Sequence, residues 1–170
     1  MNLQNIITEY PDFPKKGILF RDISPILKNP SALSRVVDEF AKKYHANDVD
    51  LFAGIESRGF PLACALSLRY NKGMIMVRKQ GKLPGTTVKR SYSIEYGKAT
   101  MEIQKNAISK DQKVLICDDL LATGGTARAA AELVERIGGH VAGFAFIVEL
   151  TELNGIKKIE KYRCESLVKY

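Results

Sequence analysis

Residues 114–126 read VLICDDLLATGGT, so an apolar run, two adjacent acids and a loop of small residues follow one another directly. The apolar run predicts a strand over 113–117 that ends just before the acids. An alanine-rich stretch over 127–137 predicts a helix after the loop. In open α/β sheets, ligands bind at the carboxyl ends of the strands. The stretch therefore predicts an α/β fold with a ligand site at this loop.

The loop has the composition of an anion-binding site. Gly124 and Gly125 allow backbone angles that aim successive N–H groups inward and let a phosphate approach closely. Thr123 and Thr126 add hydroxyl donors, and the helix that follows presents its positive end. The glycines are not followed by Gly-Lys-Ser/Thr and lack the Gly-x-Gly-x-x-Gly spacing, which excludes the nucleoside-triphosphate and dinucleotide loops. The loop therefore predicts a phosphate site of another kind.

The paired acids Asp118 and Asp119 need a partner other than the phosphate, which would repel them. Vicinal sugar hydroxyls and a magnesium ion both favour carboxylate oxygens. The combination therefore favours a ribose 5-phosphate. Because successive strand side chains point to opposite faces, we expect only one carboxylate to contact the sugar directly. The alternative, that the acids merely cap a helix or turn, stays open here.

Strand and helix patterns alternate along the chain, which predicts a mainly parallel, twisted sheet flanked by helices. Further strands are predicted at 49–55, 74–77, 99–103, 141–148 and 165–168. Further helices are predicted at 3–8, from an N-cap at Ser31 to residue 44, at 60–70 and at 156–161. Residues 78–97 show no sustained period, so we expect short strand pieces and a mobile middle. With no repeat or long linker, residues 1–170 are expected to form a single domain.

The charge is unevenly distributed. The chain has 26 Lys and Arg against 19 Asp and Glu, a net charge of +7. Within 78–98, six basic residues stand against a single acid, Glu95. This clustering favours a local anion site over a solvated basic surface, although a solvated surface stays open. A nucleic-acid binder would need an extended basic face, so we expect no nucleic-acid partner.

The apolar runs and cysteines bear on the compartment. The longest uninterrupted apolar run, 141–148, has eight residues, whereas a bilayer span needs about 20. The first residues lack the pattern of a secretory signal. Cys64, Cys117 and Cys164 are odd in number and widely spaced, which disfavours a disulfide framework and a zinc site. We therefore expect a cytoplasmic protein that does not contact a membrane.

The run over 114–127 resembles the phosphoribosyl-diphosphate motif of type I phosphoribosyltransferases. Further blocks resemble the members of this family that act on adenine. They read FP at 13–14, GILFRDISP at 17–25, GIESRGF at 54–60, RKQGKLPG at 78–85, SYSIEYG at 91–97 and VELT at 148–151. The resemblance implies the type I phosphoribosyltransferase fold, with a small N-terminal hood over residues 1–30 and a flexible catalytic loop, or lid, over 78–98.

The resemblance also implies an activity. Adenine and phosphoribosyl diphosphate would give AMP and diphosphate, a pentosyl transfer of the glycosyltransferase class that serves purine salvage. Mg²⁺ would be bridged by the substrate, and no direct protein ligand to a metal is predicted. A homodimer is implied, with Arg78 reaching the neighbouring subunit's site.

Each implied role falls on particular residues. Catalysis is assigned to Glu95, Arg58, Lys79 and Tyr96, with Glu95 on the N7/N9 side of the purine. Phosphoribose binding is assigned to Asp118, Asp119, Ala122, Thr123, Gly124, Gly125 and Thr126. Diphosphate binding is assigned to Ser57, Arg58, Arg78, Lys79 and Lys82, and Glu56–Ser57 is the candidate for a strained peptide. Adenine binding is assigned to Leu19, Phe20 and Arg21, with the Phe20 ring stacked on the base and the backbone of the other two reading its edge.

Two alternatives stay open. The first is a phosphoribosyltransferase that acts on a 6-oxopurine or a pyrimidine, which the hood around Phe20 and the lid at Glu95 argue against. The second is a regulator that keeps the fold and binds nucleic acid, for which the chain offers no additional module. Cys117 stands where the family commonly has an aliphatic residue, and a buried thiol would behave as a small apolar group.

Overall fold

The computed structural model describes residues 2–94 and 97–170. Glu95 and Tyr96, to which catalytic roles are assigned above, lie outside the described residues. The strands and α-helices in chain order are β1 (Thr8–Tyr10), β2 (Phe20–Asp22), α1 (Ser24–Lys28), α2 (Pro30–Lys43), β3 (Leu51–Ile55), α3 (Gly59–Tyr70), β4 (Gly73–Lys79), β5 (Thr87–Ile94), β6 (Gly97–Gln104), β7 (Lys113–Leu121), α4 (Gly125–Arg136), β8 (His140–Glu149) and β9 (Cys164–Lys169). Short 3₁₀ helices lie at Leu3–Asn5, Ala46–Asp48, Thr151–Leu153 and Gly155–Lys158.

In the part of the chain that the structure describes, seven strands form one sheet in the order β5-β6-β4-β3-β7-β8-β9. The run from β4 to β9 is parallel, and β6 pairs antiparallel with both β4 and β5. Strands β1 and β2 form a separate antiparallel pair. The predicted α/β class with a mainly parallel sheet and flanking helices is confirmed.

The core lies on both faces of the sheet. On one face, Leu115 and Cys117 of β7 pack in a cluster with side chains of α2 and α3. On the other face, Val114 and Ile116 pack in a cluster with side chains of α4. This double burial explains why residues 114–117 of β7 form a continuous apolar run. Because β3 and β7 pair in parallel, the loops that follow them emerge at one edge of the sheet.

Two expectations for the N-terminal part are wrong. The helix expected over 3–8 is a 3₁₀ turn at Leu3–Asn5, and the chain then enters β1, whose backbone groups pair with β2. The N-cap of α2 is Asn29 instead of Ser31. Its Oδ1 accepts the N–H groups of Ser31 and Ala32 at 3.0 and 3.1 Å. Asn at this position is as good a cap as Ser, and the proline that follows it suits the first turn.

The strand expected over 113–117 is too short. β7 continues to Leu121, because pairing with β8 extends to Leu121 opposite Glu149. Asp118 and Asp119 therefore lie within a strand instead of after it. Residues 87–94 are also more regular than expected, since β5 pairs with β6 along its whole length. Within the described residues, no helix is long and apolar enough to span a bilayer.

Candidate active site

The loop between β7 and α4 is built to leave backbone donors unpaired. Gly124 has φ 77° and precedes the first residue of α4. No described residue accepts a hydrogen bond from the backbone N–H of Thr123, Gly125 or Thr126. A cavity of about 90 Å³ lies at this loop, and its lining includes Asp118 and Phe146. Free amides at the positive end of a helix are an anion-binding arrangement.

Gly155 supports this loop from the C-terminal segment. A Cβ added to Gly124 would meet the carbonyl oxygen of Gly155, and a Cβ added to Gly155 would meet that of Ala122. Sequence reasoning missed this residue. Its only signal is the Asn154-Gly155 dipeptide, which indicates a turn but does not indicate which part of the fold the turn contacts.

The two acids have different surroundings. Asp119 is buried, and its Oδ2 lies 2.8 Å from Nε of Arg58. Asp118 lines the loop cavity, and its Oδ1 accepts the N–H of Asp119 at 2.9 Å. Burial raises the pKa of both carboxyls. The Asp119 charge adds to the rise at Asp118, and the Arg58 guanidinium limits the rise at Asp119. A pair of carboxyls held in this way favours a cation or hydroxyl donors nearby.

Arg58 is placed by the close packing of α3 against β7. A Cβ on Gly59 would lie 2.4 Å from the carbonyl oxygen of Cys117, so only glycine allows the start of α3 to approach this strand. The Glu56–Ser57 peptide, the candidate for a strained peptide named above, is cis.

Cys117 takes no part in the chemistry of the site. Burial raises the pKa of the Cys117 thiol. Cys117 is therefore neutral and packs as a small apolar side chain.

Glu56 holds the basic end of β4. Its Oε2 accepts the Lys79 N–H at 2.9 Å and Nε of Arg78 at 3.1 Å. Burial opposes ionisation of Glu56, but these hydrogen bonds outweigh it and lower the pKa of the carboxyl. Arg78 also donates to the carbonyl oxygen of Lys82 at 3.2 Å. The side chain of Arg78 is thus engaged by residues of the same chain.

Glu102 organises the turn that carries Lys82, and sequence reasoning missed it. It is 2% exposed. Its Oε1 accepts the backbone N–H groups of Gly81, Lys82 and Leu83, and its Oε2 accepts the hydroxyl of Thr87. Burial opposes ionisation, but these bonds outweigh it and lower the pKa of Glu102. The sequence shows Glu102 only as an acid between the apolar residues Met101 and Ile103, which does not indicate its distant partners.

A second cavity, of about 670 Å³, lies beneath the N-terminal segment. Its lining comprises Tyr10, Pro11, Asp12, Phe13, Phe20, Asp22, Ser24 and Arg58. The rings of Phe13 and Phe20 meet edge to face at 5.1 Å between centroids. The Arg58 guanidinium carbon lies 4.8 Å from the Phe20 ring centroid. Two aromatic rings with an adjacent guanidinium at the wall of the cavity suit a flat ring ligand.

The other two residues predicted for adenine binding flank Phe20 along the chain. The Arg21 side chain lies over the Tyr170 ring at 3.8 Å and pairs with Glu9 at 3.3 Å. Leu19 is 42% exposed. Neither side chain lines the cavity, so a contact with a ligand there would be made by the backbone groups of Leu19 and Arg21.

Within residues 2–94 and 97–170, no group of three or more His, Cys, Asp or Glu side chains could hold a metal ion.

Comparison with known proteins identifies the family. The family model for the phosphoribosyl transferase domain matches residues 23–169. The chain belongs to the phosphoribosyltransferase family. One similar phosphoribosyltransferase is the adenine phosphoribosyltransferase of Nitrosopumilus maritimus (strain SCM1), which is 68% identical over 170 residues, with all of both chains covered.

Solved phosphoribosyltransferase structures match the whole fold. The adenine phosphoribosyltransferase of Thermoanaerobacter pseudethanolicus superposes with a TM-score of 0.95 at 46% identity, with 99% of this chain and 98% of that one covered. The Saccharomyces cerevisiae enzyme, solved with adenine and an imino-altritol bisphosphate, gives 0.92 at 40% identity, with 97% and 96% covered. The expectation of a type I phosphoribosyltransferase fold is confirmed.

In this phosphoribosyltransferase, the described residues with predicted roles fall into three groups. The first is the loop 122–126 with the two acids of β7. The second is the set predicted to bind diphosphate: Ser57 and Arg58 after β3, Arg78 and Lys79 at the end of β4, and Lys82. The third is the hood around Phe20. Arg58, a member of the second group, links all three, because its guanidinium contacts both Asp119 and Phe20. The individual roles stay predictions.

Proposed function

We propose that this chain transfers the 5-phosphoribosyl group from phosphoribosyl diphosphate to adenine, giving AMP and diphosphate in purine salvage. The observation that carries the proposal is the position of Arg58. Its Nε lies 2.8 Å from Asp119, and its guanidinium carbon lies 4.8 Å from the Phe20 ring centroid. One side chain therefore joins a cavity suited to a flat base to a site suited to a sugar phosphate. That adjacency is what a base-to-ribose transfer requires.

The relatives support adenine as the base. The Nitrosopumilus relative is named for adenine, and the yeast structure was solved with adenine bound. We assign the Phe20 ring to stacking on the base and the backbone of Leu19 and Arg21 to its polar edge. A 6-amino and a 6-oxo group need hydrogen bonds of opposite polarity, so such an edge contact discriminates between purines.

The donor would occupy the rest of the sheet edge. The amides of the loop 122–126 would bind the 5-phosphate. The acids Asp118 and Asp119 would face the ribose hydroxyls, with one of the two carboxylates in direct contact. The diphosphate would face Ser57, Arg58, Arg78, Lys79 and Lys82. Cations placed before the reaction stabilise the charge that develops on the leaving group, which is the main expected source of rate enhancement.

The transfer of the phosphoribosyl group is a displacement that needs no redox partner. The lone pair of adenine N9 bonds to the anomeric carbon while the bond from that carbon to the diphosphate oxygen breaks. Diphosphate leaves with the bonding electrons. We assign the N9 proton to Glu95, with Tyr96 beside it on the lid over 78–98. This lid, together with the hood over 1–30, would keep water from the oxocarbenium-like centre.

Magnesium would enter bound to the donor. Nε of Arg58 lies 2.8 Å from Asp119 Oδ2 without hydrogen-bond geometry, and no other described residue donates a hydrogen bond to this oxygen. The pKa of both adjacent acids is raised, so a further cation beside them would be favourable. Mg²⁺ would neutralise diphosphate charge and be held mainly by the substrate, with Asp118 and Asp119 facing it.

We also propose a cytoplasmic homodimer. Cys64, Cys117 and Cys164 are free thiols, which suits a reducing compartment. Leu68 of α3 is 77% exposed and Met76 of β4 is 42% exposed, and an apolar contact between subunits would cover them. Arg78 would have to leave Glu56 to reach the neighbouring site.

The test is a spectrophotometric panel with phosphoribosyl diphosphate, Mg²⁺ and one base at a time. Adenine, hypoxanthine, guanine, xanthine and orotate are compared, and we expect consumption of adenine alone. Consumption of hypoxanthine but not adenine would overturn the choice of base. Consumption of no base, with salt-dependent binding to nonspecific DNA, would favour the nucleic-acid-binding alternative.

A further inference from the structure

Tyr92 of β5 contacts the phosphate loop with two parts of its side chain. Its hydroxyl lies 2.8 Å from Oγ1 of Thr126. Its ring covers Gly125, because a Cβ added to Gly125 would lie 3.1 Å from Cδ2 of Tyr92. A residue of the hairpin formed by β5 and β6 is therefore in direct contact with two residues assigned to phosphoribose binding.

Other contacts join β5 to α4 along their length. Nη1 of Arg136 donates to the carbonyl oxygen of Lys89 at 3.1 Å. Arg90 forms an ion pair with Glu132, which also accepts a hydrogen bond from Nε of Arg128 at 3.0 Å. Together with Tyr92, these contacts fix β5 at both ends of α4. Tyr92 is the contact nearest the loop, and β5 leads along the chain to Glu95.

The hydrogen bond between the Tyr92 and Thr126 hydroxyls leaves one of the two hydrogens free, depending on which hydroxyl donates. A threonine hydroxyl carries one donor hydrogen and accepts through its lone pairs. When the Tyr92 phenol donates to Thr126 Oγ1, the hydrogen of Thr126 is free to point at an anion in the loop. Hydrogen bonds in such a chain polarise one another, which strengthens the bond to the anion.

We propose that Tyr92 is a positioning residue for the 5-phosphate: it donates to Thr126, turns the Thr126 hydroxyl toward the phosphate, and ties the strand that leads to Glu95 to the donor site. This inference rests on the proposed function. Tyr92 acts through Thr126 and is not itself a catalytic residue.

The first test is Tyr92→Phe, which removes the hydroxyl and keeps the ring over Gly125. AMP affinity, measured by calorimetry, should fall about threefold to tenfold, as for the loss of one hydrogen bond. Adenosine, which lacks the phosphate, should bind as it does to the wild type. KM for phosphoribosyl diphosphate should rise while KM for adenine stays constant.

The matched control is Tyr162→Phe. Its hydroxyl donates to Oε1 of Glu135 at 2.7 Å, outside the site described above. This variant should bind AMP as the wild type does. An equal loss of AMP affinity in both variants would overturn the proposal, since the loss would then reflect general destabilisation.

A double-mutant cycle gives the second test. If Tyr92 acts through Thr126, Tyr92→Phe should weaken AMP binding no further in a Thr126→Val background. Additive losses would overturn the proposal. So would tighter AMP binding by Tyr92→Phe, because Tyr92 would then compete with the phosphate for Thr126. An inactive wild type refutes the proposed function, whereas an active wild type with an unchanged Tyr92→Phe variant refutes this inference alone.

Discussion

Gly124 and Gly155 are in backbone contact. A Cβ on Gly124 would lie 2.3 Å from the carbonyl oxygen of Gly155, and a Cβ on Gly155 would lie 2.1 Å from the carbonyl oxygen of Ala122. Both obstacles are backbone atoms, so no side-chain rotation relieves them. The phosphate loop therefore depends on Gly155, which lies 31 residues after Gly124 along the chain.

Gly155→Ala should displace the phosphate loop. A shift of about 1 Å in a binding group can cost up to about a hundredfold, so we expect KM for phosphoribosyl diphosphate to rise by about tenfold or more. Gly139→Ala is the control. Its Cβ would meet side chains of Ile108 and Val134 at 3.0 Å, and neither glycine has a left-handed φ. Steady-state kinetics with thermal unfolding of both variants provides the measurement; a similar rise in KM for both would contradict the prediction.

Asp118→Asn should stabilise the protein at neutral pH while weakening donor binding. The pKa of Asp118 is raised in the folded protein, so its ionisation destabilises the fold as pH rises above about 4, the unfolded value. Each unit of that rise costs about 1.4 kcal/mol, and the asparagine keeps the acceptor for the Asp119 N–H. Urea unfolding should show the gain at pH 7.5 and its loss near pH 4.

The control for that experiment is Asp38→Asn on the surface of α2. Asp38 is exposed and lies 3.5 Å from Nε of Arg69. The effect on the free energy of unfolding should stay within about 0.5 kcal/mol at both pH values. If the wild type were more stable than Asp118→Asn at pH 7.5, the predicted gain in the free energy of unfolding would be wrong.

Glu102→Gln should have the opposite pH dependence. The pKa of Glu102 is lowered in the fold, so its contribution to stability is present above about pH 4.3 and is lost as pH falls through the folded value. Replacing a charged acceptor by a neutral one should cost about 1–3 kcal/mol at pH 7.5. The difference from wild type in urea unfolding should shrink below pH 4; a difference that stays constant with pH would exclude the charge as its cause.

Phe20→Leu should weaken binding of the base. Stacking of a base on an aromatic side chain is worth about 1–3 kcal/mol, so KM for adenine should rise about tenfold while KM for phosphoribosyl diphosphate holds. Ile18→Ala is the comparison, because Ile18 is 44% exposed in the same segment and does not line the cavity. Equal effects of the two variants on adenine would remove Phe20 from the base site.

The parts of the site that lie close together in sequence were predictable. The loop 122–126 and its acids form one run, and glycine, threonine and aspartate there each have a local physical reason. The predicted strand ended too early, at residue 117, for a physical reason. Aspartate has a low intrinsic strand propensity, and pairing with β8 overrides that preference as far as Leu121. Likewise, Asn29 and Ser31 are both residue types that cap helices well, and in the structure α2 begins after Asn29.

The sequence by itself determined the parallel α/β sheet, the anion loop at its edge and the family, because apolar period, glycine placement and motif spacing act over a few residues. Tertiary structure alone decided which distant groups support the site. Gly155 contacts the backbone of Gly124, Tyr92 hydrogen-bonds to Thr126, and Glu102 accepts the backbone N–H of Lys82. Those contacts depend on strand order and on how closely backbones approach. Neither is encoded by a residue's neighbours along the chain.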